Sequence, residues 1–366
     1  QKAEEKIREE LKEKTETDEI DEKSVEENIA KPKSIKQLLD LLADLPGPDT
    51  ISAQSAKKRE PDLTKPPGSL GRLEYITEWL ATWQGHYPPH IETVAVRVFA
   101  GNHGVVSRGV SAYPADVTAQ MVANFKAGGA AINQICESSG AELQVIEIDL
   151  DRPTRDFTSE PAMDEMEFLY AIKCGLDSVP PHADLLCIGE MGIGNTTSAA
   201  AICLALFKGE AQNWAGPGTG VTGNSYETKV RTVCDAVQFH HKNLTNGLST
   251  LQILGGRELA GMAGAIIAAR INRIPVLLDG FVAGAAAAAL RATNPDALNH
   301  CVAAHVSTEP GHRLLLEKLE KPPLLDLGMR LGEASGAALA INIVKAAVSC
   351  HLKMATFSEA GVSNKV

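Results

Sequence analysis

From Thr93 to Ala100 the sequence reads TVAVRVFA, a short β-branched run, and from there onward such runs alternate with alanine-rich segments of helical spacing. That alternation constrains the fold more than any other feature. It predicts an α/β chain: a three-layer, Rossmann-like domain whose mostly parallel sheet is covered by helices on both faces. Strands are expected at Thr93 to Ala100, Glu142 to Ile148, Leu185 to Gly189 and Pro275 to Asp279. Helices are expected at Pro114 to Phe125, Ala130 to Ser138, Thr196 to Phe207, Arg257 to Asn272, Val282 to Thr293 and Gly332 to Cys350. Aromatic residues make up only 4% of the chain, so close packing of Ala and Gly must do what large rings do elsewhere. Glycine-rich loops follow three predicted strands: GNHGV after Phe99, GEMGIGN after Leu186 and DGF after Leu278. In open parallel sheets ligands collect beyond the carboxyl ends of the strands, so these loops point to one crevice.

The part before Thr93 has a different character. Residues 1–33 hold 12 acidic and 8 basic side chains and few apolar ones, which reads as a charged, mobile tail. Its Ala3, Ile7 and Leu11 make an apolar stripe too short for a sustained helical seam. An amphipathic helix is expected from Ser34 to Leu45, with Ser34 as N-cap and Pro46-Gly47-Pro48 as its stop. A second should cover Ser52 to Arg59, and Ser69 of KPPGSLGRLE should cap a third running through Trp79 and Trp83. The domain reading is therefore a tail at 1–33, a small helical lobe at 34–90 to which 351–366 returns, and a large α/β domain at 91–350.

Composition narrows the function. At 366 residues with 44% hydrophobic content the chain can bury a large core. A net charge of −11, with no basic stripe, argues against nucleic acid as a partner. The seven cysteines are scattered and never spaced C-x-x-C, which disfavours a zinc site or a disulfide framework. Neither a basic-then-apolar leader nor an uninterrupted apolar run long enough for a bilayer is present, so no membrane association and a cytoplasmic location are expected. The first residue is Gln1 rather than Met, which leaves room for a segment removed ahead of it.

The chemistry concentrates in two motifs. GEMGIGNTT, Gly189 to Thr197, places three glycines just before an alanine-rich helix, Ser198 to Leu206. Glycines let backbone amides approach a ligand, and a helix start adds N–H groups and the positive end of its dipole, so a phosphate suits it. A Walker A loop would have Lys where Asn195 stands, and the dinucleotide fingerprint is not matched. Glu190 within the loop is unusual, because a carboxylate repels a phosphate unless it binds something else. A tight turn with glycines kept for packing is the plainer alternative. In the second motif, MRLGEASGAAL, Glu333 stands among glycines before an apolar helix. The helix dipole lowers its pKa and apolar walls raise it, a balance that suits a general base near neutral pH. A carboxylate that merely complements the dipole is the alternative there.

Together, KPPGSLGRLE, N-H-G-V at Asn102 to Val105, GEMGIGNTT, GGRELAGMAG from Gly255, PVLLDGF from Pro275 and MRLGEASGA closely resemble the nicotinate-nucleotide:dimethylbenzimidazole phosphoribosyltransferases of cobalamin biosynthesis. The resemblance runs in order from about Ser34 to Asn364. It implies that nicotinate mononucleotide and 5,6-dimethylbenzimidazole give α-ribazole 5′-phosphate and nicotinate, with inversion at the anomeric carbon, no metal and no cofactor. It implies a homodimer. Glu333 matches the family's catalytic glutamate. Glu190, Met191, Gly192, Ile193, Gly194 and Asn195 match its phosphate-binding loop, and Lys229 a lysine serving the same phosphate. The acceptor would lie in an apolar slot near Tyr113, Pro114 and Met121, with Leu331 and Gly332 beside it.

The chain departs from the family's familiar pattern in four places. Tyr113 stands for Ser, Met121 for Gln and Asn102 for Asp, which bears on which acceptor is used. The stretch from Asp151 to Ala183 is short, which predicts a missing or rearranged helix and dimer surface. Two rival functions follow: transfer to another aromatic acceptor such as adenine or a phenol, or a nucleotide-binding scaffold without catalysis. His305 and His312 in HVSTEPGH, and His240-His241, lack partners at metal-ligand spacing and read as surface or structural histidines. His86 and His90 flank two prolines and cannot share a helix face. His103 reads as a loop-packing residue, and GPGTGV, Gly216 to Val221, as a turn on the nucleotide side.

Overall fold

The computed structural model describes residues 29 and 31–363, so the charged tail lies almost wholly outside the described residues. Five strands form one all-parallel sheet: β1 Val94–Ala100, β2 Glu142–Glu147, β3 Leu185–Met191, β4 Val276–Leu278 and β5 Cys301–Ala303. Their order is β2-β1-β3-β4-β5. The chain thus leaves β1 toward one edge and returns to β3 on the other side, which opens a crevice at the carboxyl ends of β1 and β3.

Burial on both sheet faces explains the continuous apolar strands. Val94, Val96, Val98, Ala100, Leu185, Cys187, Leu277 and Val302 belong to one core with Trp79, Phe125, Ile132, Ile341 and Val344. The intervening Phe99 turns to the other side, where a Cβ on Gly261 would stand 2.7 Å from its ring. The helices Arg72–Gln84, Ala131–Ser139 and Ser335–Lys353 therefore cover one face and Arg257–Ile271 the other. The Ser335–Lys353 helix is long and apolar enough to cross a membrane, but its Ala337, Ala338, Ile341 and Val344 are buried against the sheet.

The small-residue helices pack backbone to backbone. A Cβ at Gly175 would lie 1.9 Å from the Gly261 carbonyl oxygen, and one at Gly264 would lie 2.1 Å from that of Ile172. The Glu165–Asp177 and Arg257–Ile271 helices can touch this closely only because those positions lack side chains. Glu165–Asp177 also fills the short stretch after Asp151, with Asp164 accepting from the Glu167 N–H as its N-cap.

The expected elements are present with shifted ends. Ser34 caps Ile35–Ala43 by accepting from Gln37 N at 3.2 Å. The second helix is Thr50–Arg59, capped by Asp49 rather than starting at Ser52. Ser69 does not cap the third helix. Gly71, at φ 53°, holds the N-cap of Arg72–Gln84, while Glu74 accepts from Leu70 N at 3.1 Å and from Lys65 Nζ at 2.7 Å. Four substantial helices had no strong periodic signature: Glu165–Asp177, Gly223–His240, Gly247–Leu254 and Pro310–Leu319. Strand β5 was missed as well.

Candidate active site

The crevice holds a cavity of ≈ 460 Å³ whose lining includes residues that follow β1, β3, β4 and β5. A larger groove of ≈ 700 Å³ lies between the Asn195–Phe207 and Gly223–His240 helices, away from the strand ends. In the smaller cavity, β3 delivers Glu190 and Met191, and the loop beyond it delivers Gly192, Ile193, Asn195 and Thr196. Gly194, at φ 91°, turns that loop into the Asn195–Phe207 helix, whose start has no side-chain cap. Several of the loop's amides are used within the protein: Ile193 N–H donates to Thr118 Oγ1 at 3.1 Å, Asn195 N–H to Gly192 O at 3.1 Å and Thr197 N–H to Gly194 O at 2.9 Å. An anion here must therefore draw on a side-chain cation in addition to the helix start.

Lys229 stands beside Thr196 of that loop. It projects from Gly223–His240, is only 1% exposed, and donates from Nζ to Thr196 Oγ1 at 2.7 Å. A Cβ on Gly218 would stand 2.8 Å from Nζ, and both Gly218 and Thr196 line the cavity. Burial lowers its pKa to about 8, against the opposing charge of Glu309. Arg330, also on the wall, donates to Gly218 O at 3.1 Å and fixes the same turn.

Glu333 sits across from this basic end, behind Gly332 on the wall, and is 5% exposed. Gly332, Glu333 and Ala334 have φ of 81°, 61° and 59° in succession. The helix therefore begins at Ser335, three residues later than expected, because left-handed residues cannot enter a right-handed helix. The turn lies flat on β3: Glu333 N–H donates to Glu190 O at 3.2 Å, and a Cβ on Gly189 would meet Ala334 N at 2.1 Å. Burial, with the charge of Asp279, raises the Glu333 pKa to about 7. Glu190, whose Oε2 accepts from Asn195 Nδ2, is pushed to about 8 by burial and then by the charge of Glu258. Glu190, Glu333 and the wall residue Glu309 are thus all held above the ordinary carboxylate range by burial.

Of the residues singled out in the sequence, Tyr113, Glu190, Met191, Gly192, Ile193, Asn195, Leu331 and Gly332 line the cavity. Lys229, Glu333 and Gly194 stand directly behind that wall. Pro114 is exposed at the surface, and Met121 packs against the core. Gly280 and Phe281 belong to the DGF loop expected at the crevice and Gly218 and Thr219 to the GPGTGV turn, while Thr196, Val282, His305, Ser307, Glu309 and Arg330 complete the wall without being singled out as site residues in the sequence. His305 and His312 are buried, and His305 belongs to the cavity, which corrects its reading as a surface or structural residue. His240 is buried against Phe157 O at 2.9 Å. Among the described residues no group of three or more His, Cys, Asp and Glu side chains is placed to hold a metal ion.

Beneath the floor lies a pair that ties three loops together. His103 Nε2 and Glu258 Oε1 are 2.5 Å apart with both side chains fully buried, and His103 Nδ1 meets Ser198 Oγ at 3.1 Å. Gly101, Gly192 and Gly256 close around Glu258, each leaving no room for a side chain. His103 thus joins the loop after β1 to the Asn195–Phe207 helix and to the start of Arg257–Ile271.

A phosphoribosyltransferase family profile matches residues 45–362. The nicotinate-nucleotide–dimethylbenzimidazole phosphoribosyltransferase of Brucella canis is 57% identical over 324 residues, covering 88% of this chain and 96% of its own. That of Sinorhizobium medicae is 56% identical over 326 residues, covering 89% and 96%. The crystal structure of CobT from Thermus thermophilus superposes with a TM-score of 0.81 at 38% identity, covering 86% of this chain and all of that one.

Proposed function

The chain belongs to the phosphoribosyltransferase family that includes these nicotinate-nucleotide–dimethylbenzimidazole enzymes, and on that premise we propose that it transfers the phosphoribosyl group of nicotinate mononucleotide to 5,6-dimethylbenzimidazole. The products are α-ribazole 5′-phosphate and nicotinate, a step of cobalamin biosynthesis. The observation that carries the reading is the pairing, across one cavity, of a carboxyl with pKa about 7 and a buried lysine at a helix start. In this reading Lys229 and the loop Glu190–Asn195 hold the 5′-phosphate. The acceptor lies against Tyr113, Leu331 and Gly332, with Pro114 and Met121 shaping that side from off the wall.

The bond changes make modest demands on the protein. The acceptor's ring nitrogen gives its lone pair to C1′, and the C1′–N bond of the donor breaks with its electrons returning to the pyridine nitrogen. Positive charge on the donor ring is quenched as it leaves, so the leaving group needs no acid. What the enzyme supplies is alignment and a base for the acceptor's other N–H proton, which passes to the Glu333 carboxylate. Glu190, largely protonated, donates to a ribose oxygen instead of repelling the phosphate.

We also read residues 34–90 with 351–363 as a small helical lobe. The bonds from Arg59 to the carbonyls of His351, Leu352 and Met354, and the bridge between Leu63 and Thr356, support it. A cytoplasmic homodimer completes the proposal. Incubating the protein with nicotinate mononucleotide and 5,6-dimethylbenzimidazole should give α-ribazole phosphate and equimolar nicotinate by chromatography and mass spectrometry. Donor binding without product would point to another acceptor, a reading that Tyr113 on the wall favours, or to a scaffold.

A further inference from the structure

We infer that His305, together with the start of the Phe281–Thr293 helix, forms a second anion subsite that recognises the carboxylate of the nicotinate ring. This inference rests on the reaction proposed above. The donor in that reaction carries two anions at opposite ends, and the phosphate end of the cavity is accounted for by Lys229, Thr196 and Gly218. The acceptor slot is accounted for by Tyr113, Leu331 and Gly332. Thr219, Glu309 and Arg330 stand at the Gly218 turn of the phosphate end, and the wall that remains is Gly280, Phe281, Val282, His305 and Ser307.

Two independent observations make that wall an anion site. Gly280 is the N-cap of a 13-residue helix and offers no side-chain cap, so the first-turn amides lack a side-chain partner, and Gly280, Phe281 and Val282 line the cavity. His305 is 2% exposed and lines the same wall; neither ring nitrogen makes a well-aligned hydrogen bond within the protein, and Nε2 is ion-paired with Asp279 Oδ1 at 3.3 Å. A buried imidazole left in that state is expected to meet a ligand.

The ring is also fixed and biased toward its charged form. A Cβ on Gly336 would meet His305 Cδ2 at 2.0 Å, so the ring rests on bare backbone at the start of the Ser335–Lys353 helix. Asp279 Oδ1 stands 3.3 Å from Nε2 and is itself held by the Ala337 N–H at 3.0 Å. Burial opposes a charge on His305, but Asp279 outweighs it and its pKa is raised. His312 behind it is driven down to about 3 by burial and by the His305 charge, and its Nδ1 accepts from Ser307 N–H at 2.8 Å. Of the two histidines, the one on the wall is the more readily protonated. Of the nearby carboxyls, Asp279 balances the His305 charge as its ion-pair partner, while burial raises the Glu190 pKa to about 8 and lifts that of Glu309 above the ordinary carboxylate range.

The test compares nicotinate mononucleotide with nicotinamide mononucleotide, which differ only in the carboxylate. With 5,6-dimethylbenzimidazole as acceptor, wild-type protein should prefer the nicotinate donor in kcat/KM. His305→Gln should reduce that preference by about tenfold or more, by losing the nicotinate donor while the nicotinamide donor changes little. His305→Asn serves the same purpose if the Gln variant does not fold. An unchanged ratio, or equal losses with both donors, would overturn the assignment, as would a wild type indifferent to the carboxylate. If wild-type protein forms product from neither donor, it is the proposed reaction that fails.

Discussion

Glu333 lies in the left-handed region between two others of the same hand, a conformation that costs a non-glycine residue of order 1 kcal/mol or more. The turn holds because it is pinned to β3 and followed by a buried helix, and the result is a carboxyl fixed against the cavity. Glu333→Gln should fold, bind nicotinate mononucleotide with little change, and lose about 10²-fold or more in turnover. A near-normal rate would remove its role as base. In the wild type, kcat should fall as pH drops below about 7, where the base becomes protonated, and level off above it. Stability follows the opposite course. A carboxyl whose folded pKa is raised favours the folded state below its unfolded pKa and loses that contribution as pH rises toward about 7. Glu333→Gln should therefore raise the melting temperature relative to wild type at pH 8 but not at pH 4, which thermal denaturation at the two pH values checks. Lys229→Met should act mainly on the donor, raising KM for nicotinate mononucleotide by about 10-fold or more through loss of a charge-assisted contact. Titration with the donor gives that value directly. Glu333 was legible because it lies in a long local motif, and Lys229 only through the family resemblance. His305 and Asp279 were not, because their pairing across 26 positions depends on β4 and β5 lying side by side.

Elements explain why the site depends on residues that never touch a substrate. Gly189 lies within β3, yet any side chain there would strike the backbone of Ala334. Gly189→Ala should push the Glu333 turn off the strand, lowering kcat by a larger factor than KM changes and costing about 1–3 kcal/mol in denaturant unfolding. If kcat is unaffected, the turn is less tightly coupled to β3 than its geometry requires. At this scale the sequence was readable where an apolar or alanine-rich run was continuous. Strands β1 to β4 and the alanine-rich helices fall close to their expected ends. β5 escaped because three residues, Cys301–Ala303, are too few to display alternation. Gly223–His240, which carries Lys229, was hidden because its apolar stripe is interrupted by charge. The position of Ser69 suggested a cap, but a glycine two residues on took that place because its backbone could adopt φ 53°.

For the whole molecule, the switch between β1 and β3 gathers into one crevice loops that are more than 200 residues apart in the chain. The part of the chain from Pro32 on forms a compact unit, and the family match begins at residue 45. A protein lacking residues 1–31 should therefore keep the kcat and KM of the full chain in the same product assay. A loss would assign the charged tail a part in the site. The interior sets a further condition. Ala285 to Ala289 are all fully buried, and Gly247 meets the carbonyl of Ala289 where even a methyl group has no room. Such an interior has almost no slack for enlargement, so inherited change that alters acceptor choice must be channelled to the rim, where Tyr113 and Leu331 are each about half exposed. A mutational library for a new acceptor would therefore find its viable members at those two positions and their loops, and almost none among the helices that frame them.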